Sequence, residues 1–206
     1  MGKTTLIKEI QKKYPDVSIY FNCDEPDIRE AFTDVTSTEI KNFIGTKRLV
    51  FLDEAQRVEN IGLSLKIMAD TFPEVQVVAT GSSSFELSNK INEPLTGRKY
   101  EFHLYPFSIN ELKEFYSWPE ILRILETRIL LGMYPEIVQT GQDEVRALLK
   151  NITSSYLYKD VFQYQDIKNP DVLEKLLRLL ALQVGNEVSY NELAGSLGID
   201  TSGYFF

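Results

Sequence analysis

Arg48-Leu49-Val50-Phe51-Leu52-Asp53-Glu54-Ala55-Gln56-Arg57 decides how the rest of this chain is read. Four apolar residues, Leu49 to Leu52, run straight into two carboxylates. A continuous apolar run of this length predicts a strand of a parallel sheet, buried on both faces. An unpaired charge at the end of such a strand is costly to bury. Asp53 and Glu54 therefore either mark the point where the strand meets solvent or have partners there, and on this stretch alone both readings stay open.

The other end of the question is the start of the chain, Met1-Gly2-Lys3-Thr4-Thr5-Leu6-Ile7. Gly-Lys-Thr before an amphipathic helix is the tail of the phosphate-binding pattern G-x-x-x-x-G-K-[ST]. Gly2 lets backbone approach a phosphate, Lys3 reaches phosphate oxygens, and the Thr4 hydroxyl suits Mg²⁺. The helix N-terminus adds partial positive charge and free N–H groups. Paired with such a tail, the two acids acquire roles: Asp53 toward the Mg²⁺ shell and Glu54 toward the attacking water. Only the tail of the pattern precedes the helix, so the expectation is a true start upstream of Met1 rather than a decayed loop.

Composition sets bounds. The 206 residues suffice for one domain with an appendage or for two small ones, and 43% hydrophobic with 25% charged content is ordinary for a globular chain. A net charge of -8 argues against broad adhesion to nucleic acid or anionic lipid. Cys23, the single cysteine, cannot form an internal disulfide and is expected to be a buried structural thiol in a reducing cytosol. No apolar run is long enough to span a bilayer, and no signal peptide is visible, so the expected location is cytoplasmic with no membrane partner.

In order, the pattern predicts a helix over Thr4 to Tyr14, a strand over Val17 to Asn22, and a short helix over Asp27 to Phe32 with Asp27 and Glu30 as a capping box. A helix over Thr38 to Ile44 stops at Gly45, and the strand Leu49–Asp53 follows. Ile61 to Phe72 is a helix, with Met68 a core position, and Val75 to Thr80 is a second buried strand. Strand-helix-strand spacing places Thr80 beside Asp53 and Glu54 at the carboxyl edge of the sheet, where open α/β sheets bind ligands. Thr80 or Ser82 there would sense a bound phosphate, while Ser83 caps the following helix with Glu86 as partner.

Lys99 to Leu104 alternates as a strand, and His103, the only histidine, reads as a packed residue rather than a catalyst. Ser108 and Glu111 form a capping box, with Phe107 and Leu112 as a hydrophobic staple. Beyond this the chain is mostly helical. Pro119 to Leu131 carries Ile121, Leu122, Leu125 and Ile129 at helical spacing and stops at Gly132; Glu144 to Tyr158 is a further helix. Asp171 and Glu174 cap another, lined by Leu173, Leu176, Leu177 and Leu180, before a turn at Gly185-Asn186. Ser189 and Glu192 form a further capping box, and Ala194-Gly195-Ser196 supplies small residues for a close helix crossing. This is the opening of a helix-turn-helix, with a recognition helix expected near Thr201.

The set Gly2-Lys3-Thr4-Thr5-Leu6, Leu52-Asp53-Glu54-Ala55-Gln56, Thr80-Gly81-Ser82-Ser83-Ser84, Leu95-Thr96-Gly97-Arg98 and Leu104-Tyr105-Pro106-Phe107-Ser108 resembles a family of bacterial and archaeal AAA+-type P-loop ATPases. Leu131 to Glu136 and Tyr156 to Asp160 match it too. The resemblance implies a parallel α/β sheet lacking its first strand, then a helical region and a partial winged helix-turn-helix. Its parts are a P-loop core over 1–112, a helical lid and connector over 113–168, and the partial winged helix over 169–206. It implies ATP and Mg²⁺ as cofactors. Gly2, Lys3, Thr4 and Thr5 would bind nucleotide, Thr4 and Asp53 would hold metal, Glu54 would act on water, and Thr80 would be the sensor. Arg98 matches the family's Gly-Arg and would touch the γ-phosphate of its own or a neighbouring subunit, or else be a plain surface arginine or one paired with Glu101. The implied activity is ATP hydrolysis driving a conformational change. The alternative is a non-hydrolysing switch or scaffold that binds DNA or protein through the winged-helix region, and an oligomer is compatible with either.

Overall fold

The computed structural model describes residues 2–81, 95–153 and 170–199. Among the described residues three parallel strands form a sheet, β1 (Ser18–Asn22), β2 (Leu49–Asp53) and β3 (Gln76–Ala79), in the order β1-β2-β3. Register aligns Asn22 with Asp53 and Leu52 with Ala79, so all three strands end at one edge. The central strand β2 is the apolar run read above, and Val50, Phe51 and Leu52 are each fully buried.

Helices connect the strands, as parallel pairing requires. They are α1 (Lys3–Lys13), α2 (Pro26–Phe32), α3 (Ser37–Ile44) and α4 (Ile61–Thr71). Val50 and Leu52 face a core that includes Phe32, Ile40, Ile44, Leu65 and Met68, with Ile19, Phe21, Val77 and Ala79 packed against it. Phe21 meets Phe32 edge-on at 5.0 Å between ring centroids. The buried Ser64 hydroxyl donates to the Phe32 carbonyl at 2.7 Å, tying α4 to the end of α2. Tyr20, Phe51 and Asp53 alternate onto the opposite face. Helix α1 runs there, since Lys8 lies over the Tyr20 ring and Thr4 hydrogen-bonds Asp53.

Sequence expectations need correction at the following places. Helix α2 starts at Pro26 with Glu25 as N-cap, so Asp27 is inside the first turn and makes no capping box with Glu30. Proline at the first helical position sets that start, because its φ is already helical and its missing N–H is not needed there. The capping box of this region is instead Thr36 with Glu39, at the start of α3. Lys99 to Leu104 takes no strand conformation, and Tyr100 and Phe102 are 93% and 91% exposed. Alternation gives a segment the right faces, but a strand exists only when a neighbour takes its N–H and C=O groups. Among the described residues a Cβ at Gly195 would meet nothing within 4 Å, and the helix expected to cross there lies outside them.

Contacts divide the chain into residues 1–145 and 146–206. The first unit continues with α5 (Ile109–Leu112), α6 (Trp118–Leu131) and α7 (Pro135–Gln139). Leu112, Ile121 and Val138 form a second core there, with Phe107 packed against it, and the Ser108–Glu111 capping box is present. Helix α6 buries Ile121 but leaves Leu122 and Ile129 51% and 75% exposed. Helix α8 (Gln142–Ile152) crosses the boundary between units. The second unit holds α9 (Pro170–Leu182) and α10 (Tyr190–Leu197), which pack on each other. Asp171 lies within the first turn of α9 rather than before it. Helix α10 ends at Gly198 in the left-handed region, with the Ile199 N–H returning to the Ala194 carbonyl at 3.1 Å. Ser82 and Ser83 with Glu86, the segment 156–160 and the recognition helix expected near Thr201 all lie outside the described residues.

Candidate nucleotide and metal site at the carboxyl edge of the sheet

The site is built around Asp53, the last residue of β2, which is 2% exposed. Three hydroxyls from three elements donate to its carboxylate. Thr80, just past β3, donates to Oδ1. Tyr20 of β1 donates to Oδ2 at 2.7 Å. Thr4, in the first turn of α1, is the third. Burial alone would push the Asp53 carboxyl up, but the hydroxyls of Thr80, Thr4 and Tyr20 and the Glu54 backbone N–H outweigh it and hold Asp53 below its ordinary value. The Tyr20 phenol is shifted the other way, by burial first and then by its bond to and the charge of Asp53.

The backbone explains why these groups meet. The Thr80 N–H donates to the Leu52 carbonyl at 2.9 Å, and the Ala55 N–H donates back to the Thr80 carbonyl at 2.8 Å. The Glu54 N–H donates to the Thr80 hydroxyl at 3.3 Å. Glu54 itself sits in the left-handed region, φ 53° and ψ 40°, which costs a residue other than glycine about 1 kcal/mol or more. Its carboxylate accepts from the Gln56 side-chain amide at 2.5 Å. Just past the end of β1, Cys23 is fully buried, and its thiol is pushed up to about 12 by burial and then by the charges of Asp53, Asp24 and Glu54.

Helix α1 presents its positive end to this edge. Gly2 is its N-cap, with φ 71°, where an L side chain would be strained. The first intrahelical bond is Leu6 N–H to the Gly2 carbonyl at 2.8 Å, which leaves the N–H groups of Lys3, Thr4 and Thr5 without helical partners. No acidic residue sits in that turn, and no side chain caps it. Lys3 and Thr4 are half-buried, while Thr5 is exposed.

The structure thus brings Thr4, from the helix start that also carries Gly2, Lys3 and Thr5, together with Asp53, Glu54 and Thr80. Arg98 is elsewhere. It pairs with Asp70 at 2.9 Å, near the end of α4 and hence at the opposite edge of the sheet, while Glu101 pairs with Lys99. Tyr20 and Gln56 were not singled out from the sequence. Gln56 stood in the quoted stretch. Tyr20 carried a weaker signal, a polar-tipped residue at the same strand parity as Asn22.

The donor set fits a hard cation. A carboxylate and a hydroxyl are oxygen ligands of the kind Mg²⁺ takes, and Mg²⁺ is normally held by one or two protein groups, phosphates and water. Among the described residues no cluster of three or more acidic, histidine or cysteine side chains forms an all-protein metal cage.

A family model described as an AAA domain matches residues 1–113, more than half of the chain. The chain belongs to the AAA domain family. Membership supports a general nucleotide-binding, ATPase-like function. A second model, described as a domain of unknown function, matches residues 122–204. Two uncharacterized proteins of Methanocaldococcus jannaschii are 26% and 27% identical, over 95% and 97% of this chain but 47% and 50% of their own lengths. An uncharacterized protein of Haemophilus influenzae is 24% identical over 73% of the chain and 39% of its own length. The chain therefore spans about half the length of the curated relatives it matches most fully. No solved structure matches it significantly. No helix among the described residues is long and apolar enough to cross a membrane.

Proposed function

We propose that this AAA-family chain binds ATP with Mg²⁺ at the carboxyl edge of its sheet, hydrolyses it, and couples nucleotide state to a conformational change. The supporting observation is the junction of Thr4 with Asp53: the Gly2-Lys3-Thr4 segment and the buried acid of β2 are hydrogen-bonded although far apart in sequence. In this reading Gly2 and the free N–H groups of Lys3, Thr4 and Thr5 face phosphate, and the Lys3 ammonium neutralises it. Thr4 and Asp53 would hold Mg²⁺, which supplies charge compensation on the phosphates. Glu54 orients and polarises water, and Thr80, bonded to Asp53 and to the Glu54 N–H, links phosphate occupancy to both acids. Arg98, at the other edge, would serve only a neighbouring subunit. The division into a core over 1–112, a lid and connector over 113–168 and a partial winged helix over 169–206 belongs to this reading, as does a cytoplasmic location.

Phosphate release tests it. Wild type should turn over Mg-ATP, Glu54→Gln should bind it with turnover reduced at least about 100-fold, the lower end for general acid–base groups, and Lys3→Ala should bind it about 10- to 100-fold more weakly. Turnover unchanged in Glu54→Gln would remove the hydrolytic reading. A second reading is a non-hydrolysing switch that engages DNA or protein through the second unit. It is favoured by the packed pair α9 and α10 with its glycine-terminated second helix. Binding without turnover in wild type would select it.

A further inference from the structure

We infer that Tyr20 is a positioning residue of the candidate site, holding the Oδ2 side of Asp53 so that the carboxylate keeps a fixed orientation toward the Thr4 and Thr80 hydroxyls. The inference rests on the nucleotide reading above and adds a residue to it. In the parallel register Tyr20 is level with Phe51, and Asp53 lies two residues further along β2. Two residues of strand rise about 6.6 Å. A phenol spans a comparable distance from its own backbone, so a hydroxyl at the tip of this side chain reaches the acid, and it does so at 2.7 Å. Shorter hydroxyl side chains at position 20 would fall short, and phenylalanine would fill the same space with no donor.

The ring is itself held. Lys8 Nζ lies 5.4 Å from the Tyr20 ring centroid, a cation–π contact delivered by α1. Helix α1 is also the element whose first turn carries Lys3 and Thr4. Tyr20 therefore joins the acid of β2 to the helix bearing the phosphate-facing groups through two contacts, one at each end of its side chain. Asp53 is buried, and its Oδ2 would lose this donor on removal of the phenol. The carboxylate would then turn about its own axis to regain a partner, taking Oδ1 off its present line to Thr80. Mg²⁺ demands near-ideal octahedral geometry, so its affinity is sensitive to that turn. Partners that orient a metal ligand typically contribute 10- to 100-fold in metal affinity, roughly.

The test is calorimetric titration of ADP into the full chain, wild type and Tyr20→Phe, with Mg²⁺, with Ca²⁺ and with EDTA. Wild type should gain affinity from Mg²⁺. Tyr20→Phe should lose about tenfold of that gain, keep the EDTA affinity unchanged, and show a smaller deficit with Ca²⁺, whose coordination tolerates irregular geometry. Equal affinity of the two proteins in Mg²⁺ would overturn the inference while leaving the nucleotide reading intact. So would an equal loss in Mg²⁺, Ca²⁺ and EDTA, which is the mark of a purely structural role. Absence of ADP binding by wild type in every condition would overturn the nucleotide reading and this inference together.

Discussion

Thr80→Val isolates the bond that closes the site. The substitution keeps volume and β-branching but deletes the hydroxyl that donates to Asp53 Oδ1 and accepts from the Glu54 N–H at 3.3 Å. Thr80 is 9% exposed and Asp53 2%, so water cannot readily replace the lost donor. A hydrogen bond to a charged group contributes about 1.5–3 kcal/mol. Asp53 retains Thr4 and Tyr20, which places the expected loss near the middle, at about 2 kcal/mol, or about 4–8 °C in Tm for a chain of this size. The pH dependence carries the sign. Asp53 has a lowered pKa in the fold, so the hydrogen bonds its ionised carboxylate accepts add stability above the unfolded value of about 3.9, and that stability is lost as pH falls through the folded value. Circular-dichroism melts should therefore show a constant gap between wild type and Thr80→Val from about pH 5 to 8, narrowing below about pH 4. A gap within about 0.5 kcal/mol of zero at pH 7, the usual range for an inconsequential surface change, would refute the reasoning. So would a gap that never narrows as pH is lowered toward acid unfolding.

Other outcomes follow from the same geometry. Lys3→Ala should weaken ATP about 10- to 100-fold by calorimetry, the equivalent of one charge-assisted contact. Arg98→Ala should leave the ATP affinity of the isolated chain unchanged, because its partner is Asp70 at the far edge. Cys23, fully buried and with its thiol pushed up to about 12, should resist a disulfide exchange reagent at pH 8 in the native protein and react on unfolding. Thr36→Ala should cost about 1 kcal/mol in thermal unfolding, since it removes the side chain of the α3 capping box.

How much of this was legible in the sequence depends on how local each feature is. The strand Leu49–Asp53 was readable to the residue because burial on both faces leaves an unbroken apolar run. Thr80 was placed beside Asp53 by counting through one strand-helix-strand unit, and the register of β2 and β3 agrees. Tyr20 was not placed, because its role depends on how β1 aligns with β2, and no pattern within either strand states that alignment. Lys99 to Leu104 shows the reverse failure: its alternation is a local property, while strand formation needs a partner. The α2 cap was misread by letting an acid-x-x-acid spacing outrank Pro26, whose backbone constraint is the stronger signal. Arg98 was readable as a motif but not as a position, since the edge of the sheet it occupies follows from its pairing with Asp70.

The claim that the Thr4–Asp53 junction is the metal-nucleotide site is tested most directly by titrating ATP into the full chain and its Asp53→Asn variant, with Mg²⁺ and with EDTA. Wild type should bind one ATP with a clear gain from Mg²⁺, and Asp53→Asn should keep the EDTA affinity and lose that gain. No binding by wild type, or a Mg²⁺ gain that survives in Asp53→Asn, would contradict it.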